Sequence, residues 1–217
     1  MMSCIAFSLA MTGYPAIARI LPGRCSPWLS SSADGWGTMA SLHEIDIRPA
    51  TADDAAAVAA IYAPFVEQTA VSFEETPPTS VEMAGRIAKA QSRWQWLVAE
   101  DGGVVVGYAY GSQHRERAAY RWSVEVSAYV DGAHRRRGIG RALYSVLLPH
   151  LAHKGFCTAF AGVTLPNDAS IGLHAAVGFT PIGVFRSIGW KFGAWHDVAW
   201  YQLRLRDTPP VDAHAGF

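Results

Sequence analysis

The run Arg135-Arg136-Arg137-Gly138-Ile139-Gly140-Arg141 has the residue types needed to hold a phosphate. A strand-like stretch, 121–130, leads into it, and a helical pattern burying Leu143, Leu147 and Leu151 follows. A helix N-terminus leaves main-chain N–H groups unpaired, and its dipole favours negative charge. Glycine lets the backbone approach a ligand and accepts positive φ, while arginine forks onto phosphate oxygens. The same run also reads as an ordinary solvated turn. Upstream, Glu125 lies within the strand pattern, either as a proton acceptor in a partly desolvated cleft or as a surface carboxylate. His174 is a lone helical histidine, ordinarily structural, whose unperturbed pKa of about 6.5 suits proton transfer. Tyr144 falls on the helix after the turn, where core packing is the ordinary role of such a residue. Arg115, Glu116 and Arg117 form a charged stretch that by itself reads as an ordinary charged loop.

These residues need elements to position them. Residues 44–48 alternate as a strand that ends at Pro49. Thr51 with Asp54, and Thr79 with Glu82, have capping-box spacing. The first opens a helix with Val58, Ile61, Tyr62 and Phe65 on one stripe, which Pro64 should end or kink. The second opens a helix through Met83, Ile87 and Ala90. Trp96 to Glu100, Asp101-Gly102-Gly103 and Val104 to Tyr110 read as a hairpin. From Arg121 to Val130, Trp122, Val124, Val126, Ala128 and Val130 share one face; Ser123, Glu125, Ser127 and Tyr129 share the other. Pro149 predicts a kink or early end in the helix that starts near Gly138. A short strand over 156–163 and a turn with Asn167 as N-cap come next. The following helix stops at Gly178, and strands over 179–185 and 196–205 flank a loop from Gly189 to Trp195.

The composition bounds the function. Of 217 residues, half are apolar and 17% charged, a globular balance. Lys+Arg and Asp+Glu both number 18, so no basic excess points to nucleic acid. The three cysteines, Cys4, Cys25 and Cys157, have no metal-ligand spacing, which predicts neither zinc nor a disulfide framework and suits a reducing compartment such as the cytoplasm. No apolar run is long enough to span a membrane. Residues 1–38 read as an irregular extension, produced by translation starting upstream of Met39, or as a transit-like segment. The domain occupies 39–206, and 207–217 is a loose tail.

The order strand, helix, helix, three strands, arginine turn, helix, strand, helix, two strands resembles the GNAT acetyltransferases. Within them the chain is similar to the phosphinothricin and methionine-sulfoximine N-acetyltransferase branch. The matching blocks are Ile47-Arg48-Pro49-Ala50, then Trp122 to Val130, then His134 to Gly140. Leu165-Pro166-Asn167 through His174, and Lys191-Phe192-Gly193 with Trp195-His196-Asp197-Val198, are more specific to the branch. The resemblance covers nearly all of 46–206.

It implies an α/β fold of the acyl-CoA N-acyltransferase kind, with a mostly antiparallel twisted sheet splayed for CoA and helices on both faces. The arginine turn gains a ligand, the pyrophosphate of acetyl-CoA, held by main-chain N–H groups of Arg136, Arg137, Gly138, Ile139, Gly140 and Arg141. Ala128, Tyr129 and Val130 would pair with the pantetheine arm, at a bulge that splays the strands, and an N–H near Val130 would stabilise the oxyanion. Glu125 becomes the general base, His174 an assistant in deprotonation, Tyr144 the acid for the departing thiolate, and Asn167 a cofactor contact. Arg115 to Arg117 match the branch's substrate loop, together with Glu125, Val126 and Ser127; His114 stands where members often have an aromatic residue. Lys191 to Trp195 would cover the site or a partner subunit. The implied reaction is direct acetyl transfer to the α-amino group of phosphinothricin, methionine sulfoximine or methionine sulfone, without metal, in a homodimer. Other amines, such as polyamines or protein N-termini, and a non-catalytic acetyl-CoA sensor are the alternatives. The absence of an acidic cluster disfavours polyamines, and the presence of Glu125 disfavours the sensor.

Overall fold

The computed structural model describes residues 45–210. The expected 1–38 extension, Cys4, Cys25 and most of the 207–217 tail lie outside the described residues. Strand β1 (Ile45–Pro49) is followed by helices α1 (Ala55–Glu67) and α2 (Ser80–Arg93), then strands β2 (Trp96–Asp101), β3 (Val104–Gln113) and β4 (Ser123–Val130). Helix α3 (Ile139–His153), strand β5 (Thr158–Thr164), helix α4 (Asp168–Ala176) and strands β6 (Thr180–Lys191) and β7 (Ala194–Arg204) complete the order. The seven strands form one sheet in the order β1-β2-β3-β4-β5-β7-β6. Every pairing is antiparallel except that of β4 with β5.

The strand period divides the core in two. Val124 and Val126 point to the face covered by α3, where Leu143, Leu147 and Leu151 are fully buried. Trp96, Val98 and Tyr108 point to the other face, against Val58, Tyr62, Met83 and Ile87 of α1 and α2. Both capping boxes form: the Thr51 N–H donates to Asp54 at 2.7 Å, and the Thr79 N–H to Glu82 at 2.8 Å. Asp54 also accepts two hydrogen bonds from Arg48, which tie the start of α1 to β1 and hold the Asp54 carboxyl below its usual range.

Two expectations need correction, and one open alternative closes. Of the two outcomes expected at Pro64 and Pro149, an end or a kink, the end does not occur: the helices run on to Glu67 and His153. Leu147, Leu148 and Leu151 are buried on both sides of Pro149, and that burial offsets one lost hydrogen bond. The loop expected over 189–195 is instead the end of a long β6–β7 hairpin, with Lys191 paired to Ala194. A register irregularity between Phe185 and Gly189 is held by Asp197, which accepts from the Ser187 N–H at 2.8 Å. Lastly, β4 carries no bulge, because its register with β3 is unbroken from Gly107–Val130 to Gln113–Val124. The irregularity lies between β2 and β3, at Ala99–Glu100.

Candidate active site

The sheet opens without a bulge. β4 and β5 pair only over Ser123–Thr158, Val124–Ala159 and Glu125–Phe160. Beyond Glu125, β4 continues to Val130 alongside β3, while β5 continues to Thr164 alongside β7. The two strands diverge, leaving the β4 edge from Val126 onward unpaired toward β5. Glu125 therefore stands on the last closed rung, at the apex of a wedge.

The arginine turn lies at the wide end. Arg136 (φ 62°) and Gly138 (φ 79°) adopt left-handed conformations that bend the chain into α3, and Gly138 is the N-cap. Helix geometry leaves the first N–H groups of α3 without intrahelical acceptors. Ile139 plugs the core, while a side chain at Gly140 would meet Leu173 of α4 at 3.0 Å. That close approach explains the second glycine. Arg137 is engaged with Asp101 at 2.7 Å; Arg136 and Arg141 have no ion pair among the described residues. Main-chain donors, a helix dipole and two uncommitted guanidinium groups fit a diphosphate.

At the apex, Glu125 Oε1 lies 2.9 Å from Nδ1 of His114. Burial pushes the Glu125 carboxyl above its ordinary range, against the lowering influence of the His114 hydrogen bond and the charges of His114 and Arg115. Sequence reasoning missed the His114 partnership, since nothing in a one-dimensional pattern links a residue just past β3 to one on β4. On this side of the sheet a cleft of about 290 Å³ is lined by Tyr62, Arg86, Trp96, Tyr110 and Ser112. Ser112 is the register partner of Glu125, which places the cleft beside the carboxylate. Through Trp94 and Gln113 the cleft adjoins a crevice of about 200 Å³ bearing Arg93, Arg115, Arg117 and Arg121, with Glu116 beside them. The expected substrate loop thus supplies a cation, Arg115, close enough to act on Glu125.

Other candidates are placed differently. Val126 is buried in the α3 side of the core, so only its main chain is available to a ligand. Tyr129 packs edge-on to Tyr62 and Phe65 and stacks on Tyr108, so it too offers main chain. Ala128 and Val130 lie half-buried on the opened edge, and Ser127 interacts with the Tyr110 hydroxyl. Asn167 caps α4, its Oδ1 accepting from the Ser170 N–H at 3.1 Å.

Tyr144 and His174 meet each other in the interior rather than Glu125. His174 Nδ1 lies 2.7 Å from the Ser170 carbonyl, which can only accept, so Nδ1 carries the proton. The lone pair on Nε2 then accepts from the Tyr144 hydroxyl at 3.2 Å. Phe179 and Tyr201 pack on the imidazole, and burial pushes its pKa down while pushing that of Tyr144 up. The geometry describes a neutral pair that docks α4 against α3.

No group of His, Cys, Asp and Glu able to hold a metal occurs among the described residues, and none of their helices is long and apolar enough to cross a membrane. Residues 47–200 match the model of the acetyltransferase (GNAT) domain. The chain is 44% identical over 158 residues to a phosphinothricin N-acetyltransferase of Streptomyces viridochromogenes, covering 73% of this chain and 86% of the relative. It is 37% identical over 168 residues to an L-methionine sulfoximine/L-methionine sulfone acetyltransferase of Salmonella typhimurium, covering 77% and 98%. Among solved structures, a GNAT superfamily phosphinothricin acetyltransferase from Sinorhizobium meliloti in complex with AcCoA superposes with a TM-score of 0.74 at 35% identity, covering 78% of this chain and 95% of that one. With the opened sheet and the arginine turn already in view, these matches place the chain in the GNAT acetyltransferase family.

Proposed function

We propose that this enzyme transfers acetyl from acetyl-CoA to the α-amino group of a small amino-acid analogue of the phosphinothricin, methionine sulfoximine or methionine sulfone class, with Glu125 as general base. The observation that carries this reading is the position of Glu125, half-buried at the apex of a wedge whose wide end presents an anion-binding helix start. The diphosphate of CoA would rest on the N–H groups of 136–141, and the pantetheine arm would lie along the open edge of Ala128 to Val130. The thioester carbon then reaches Glu125. An ammonium has no lone pair, so the acceptor first gives a proton to the Glu125 carboxylate, directly or through water. The free amine attacks the thioester carbon, a C–N bond forms, and the C–S bond breaks to release the CoA thiolate; the nitrogen loses its extra proton as it becomes the amide, and the thiolate takes up one proton in balance. A main-chain N–H near Val130 would stabilise the intervening oxyanion.

The arginine crevice supports an acceptor that carries an acid group, and the relatives' names support the analogue class. The exposed Trp190, Phe192 and Trp195 at the end of the β6–β7 hairpin support a homodimer, and the free, buried Cys157 suits the cytoplasm. Release of free CoA should be followed with phosphinothricin, methionine sulfoximine and methionine sulfone beside spermidine and a peptide N-terminus. We expect turnover with the amino-acid analogues; silence across all of them overturns the acceptor class. The anchor has its own test. Gly138→Ala places a Cβ on a left-handed residue at a cost of about 1 kcal/mol. It should raise KM for acetyl-CoA several-fold with kcat little changed, measured at saturating amine.

A further inference from the structure

His114 touches Glu125 at the apex, and neither the resemblance nor the relatives' names give it a role. It lies just past the end of β3, yet its side chain is only 11% exposed. The ring stacks on Phe160 with centroids 4.3 Å apart and planes 11° from parallel. Tyr120 and Trp200 meet it nearly edge-on, at 76° and 75°. Phe160 is the β5 partner of Glu125, and Ser112, two residues before His114, is its β3 partner. The imidazole therefore lies over the last closed rung of the wedge, fixed by rings from β5, β7 and the 114–122 loop.

We propose that His114 is a positioning residue for the base: held by this aromatic setting, it donates its Nδ1–H to Glu125 Oε1 and fixes that carboxylate where the acceptor's ammonium arrives. This rests on the reading of Glu125 as the base. An ionised carboxylate only accepts, so the 2.9 Å contact requires the proton on Nδ1. The contact does two things. It stops the carboxylate from turning about its side-chain torsions, so one oxygen stays free for the incoming proton. It also favours the ionised form in a setting where burial favours the neutral one. A protonated Glu125 could not take the ammonium's proton. The other charged or titratable groups around Glu125 are Arg115 in the same loop and Tyr110 on β3, with Tyr120 facing His114; Phe160 and Trp200 carry no titrating group.

The test compares His114→Phe, which keeps the stack and loses the donor, with His114→Asn, whose side-chain amide restores a donor near the Nδ1 position. The measurement is kcat against pH at saturating acetyl-CoA and amine, with thermal melting to confirm folding. In His114→Phe the acid limb should move to higher pH by about one unit, so turnover on that limb is up to about tenfold lower than the parent's and converges with it on the plateau at higher pH. KM for acetyl-CoA should not change, and His114→Asn should recover much of the low-pH rate. A His114→Phe profile that overlays the parent overturns the proposal, as does a His114→Asn profile no better than that of His114→Phe. Glu125→Gln separates the two readings. If it is inactive while His114→Phe matches the parent, only the role of His114 falls; if it is fully active, the base assignment falls and takes His114 with it.

Discussion

Replacing Glu125 with glutamine should lower kcat by about 10²- to 10⁴-fold, the range that a positioned general base contributes. In barrier terms that is about 3–5 kcal/mol. The substitution is nearly isosteric, and the amide oxygen can still accept from His114 Nδ1, so the apex keeps its shape. What disappears is a group able to hold the acceptor's proton. KM for acetyl-CoA should be little affected, because the arginine turn proposed to anchor the diphosphate lies at the other end of the wedge. The pH dependence has a definite sign. Burial raises the Glu125 pKa above the ordinary carboxylate value of 4.5, so the proposed base should become protonated, and turnover should fall, at a pH above the usual carboxylate range. Steady-state kcat of the parent from pH 5 to 9 should show that limb, and Glu125→Gln should lack it. Parent-like turnover in Glu125→Gln would remove the base from the mechanism.

What was legible in the sequence is what local physics controls. Capping boxes at Thr51 and Thr79, the N-cap at Asn167 and the alternation through Val124 and Val126 all act within a few residues. Each forms in the structure. Gly138 was readable for the same reason, since the start of α3 needs a left-handed residue. Readings failed where the deciding contact is remote. Of the kink or early end read at Pro149, the early end does not occur, because the leucines around it are buried under the sheet. Gly189 looked like a loop residue, but it lies in β6, where any Cβ would fall 2.3 Å from the ring of Phe73. The wedge follows from β4 and β5 diverging, with no local sequence mark such as a bulge. His114 and Glu125 meet because β3 and β4 are in register, a fact that no spacing of eleven residues reveals.

Lys191 makes the most consequential of these remote contacts, and Lys191→Met should be strongly destabilising. Its Nζ donates to the carbonyls of Val66, Ser72 and Glu74 at 2.6, 2.7 and 2.8 Å. The residue is 7% exposed, and an ammonium has three donors, so each is matched to one main-chain acceptor. This clamps the end of the β6–β7 hairpin onto the 68–75 loop. The loop in turn sets one wall of the cleft: Glu74 takes both guanidinium arms of Arg86, at 2.7 and 2.9 Å, and accepts from the Tyr62 hydroxyl. Methionine fills a similar volume but leaves those carbonyls without their donor. At about 1–3 kcal/mol for a buried unsatisfied group, and with partial relaxation toward water, a loss of about 3 kcal/mol follows. For a domain of this size that lowers Tm by about 6–12 °C, read by circular dichroism at fixed pH. Arginine should recover little, because a planar guanidinium cannot aim at three carbonyls converging on one point. The loosened wall should also raise KM for the amine more than KM for acetyl-CoA. A Tm within about 2 °C of the parent would show that water replaces the ammonium at little cost, and the clamp would lose its energetic weight.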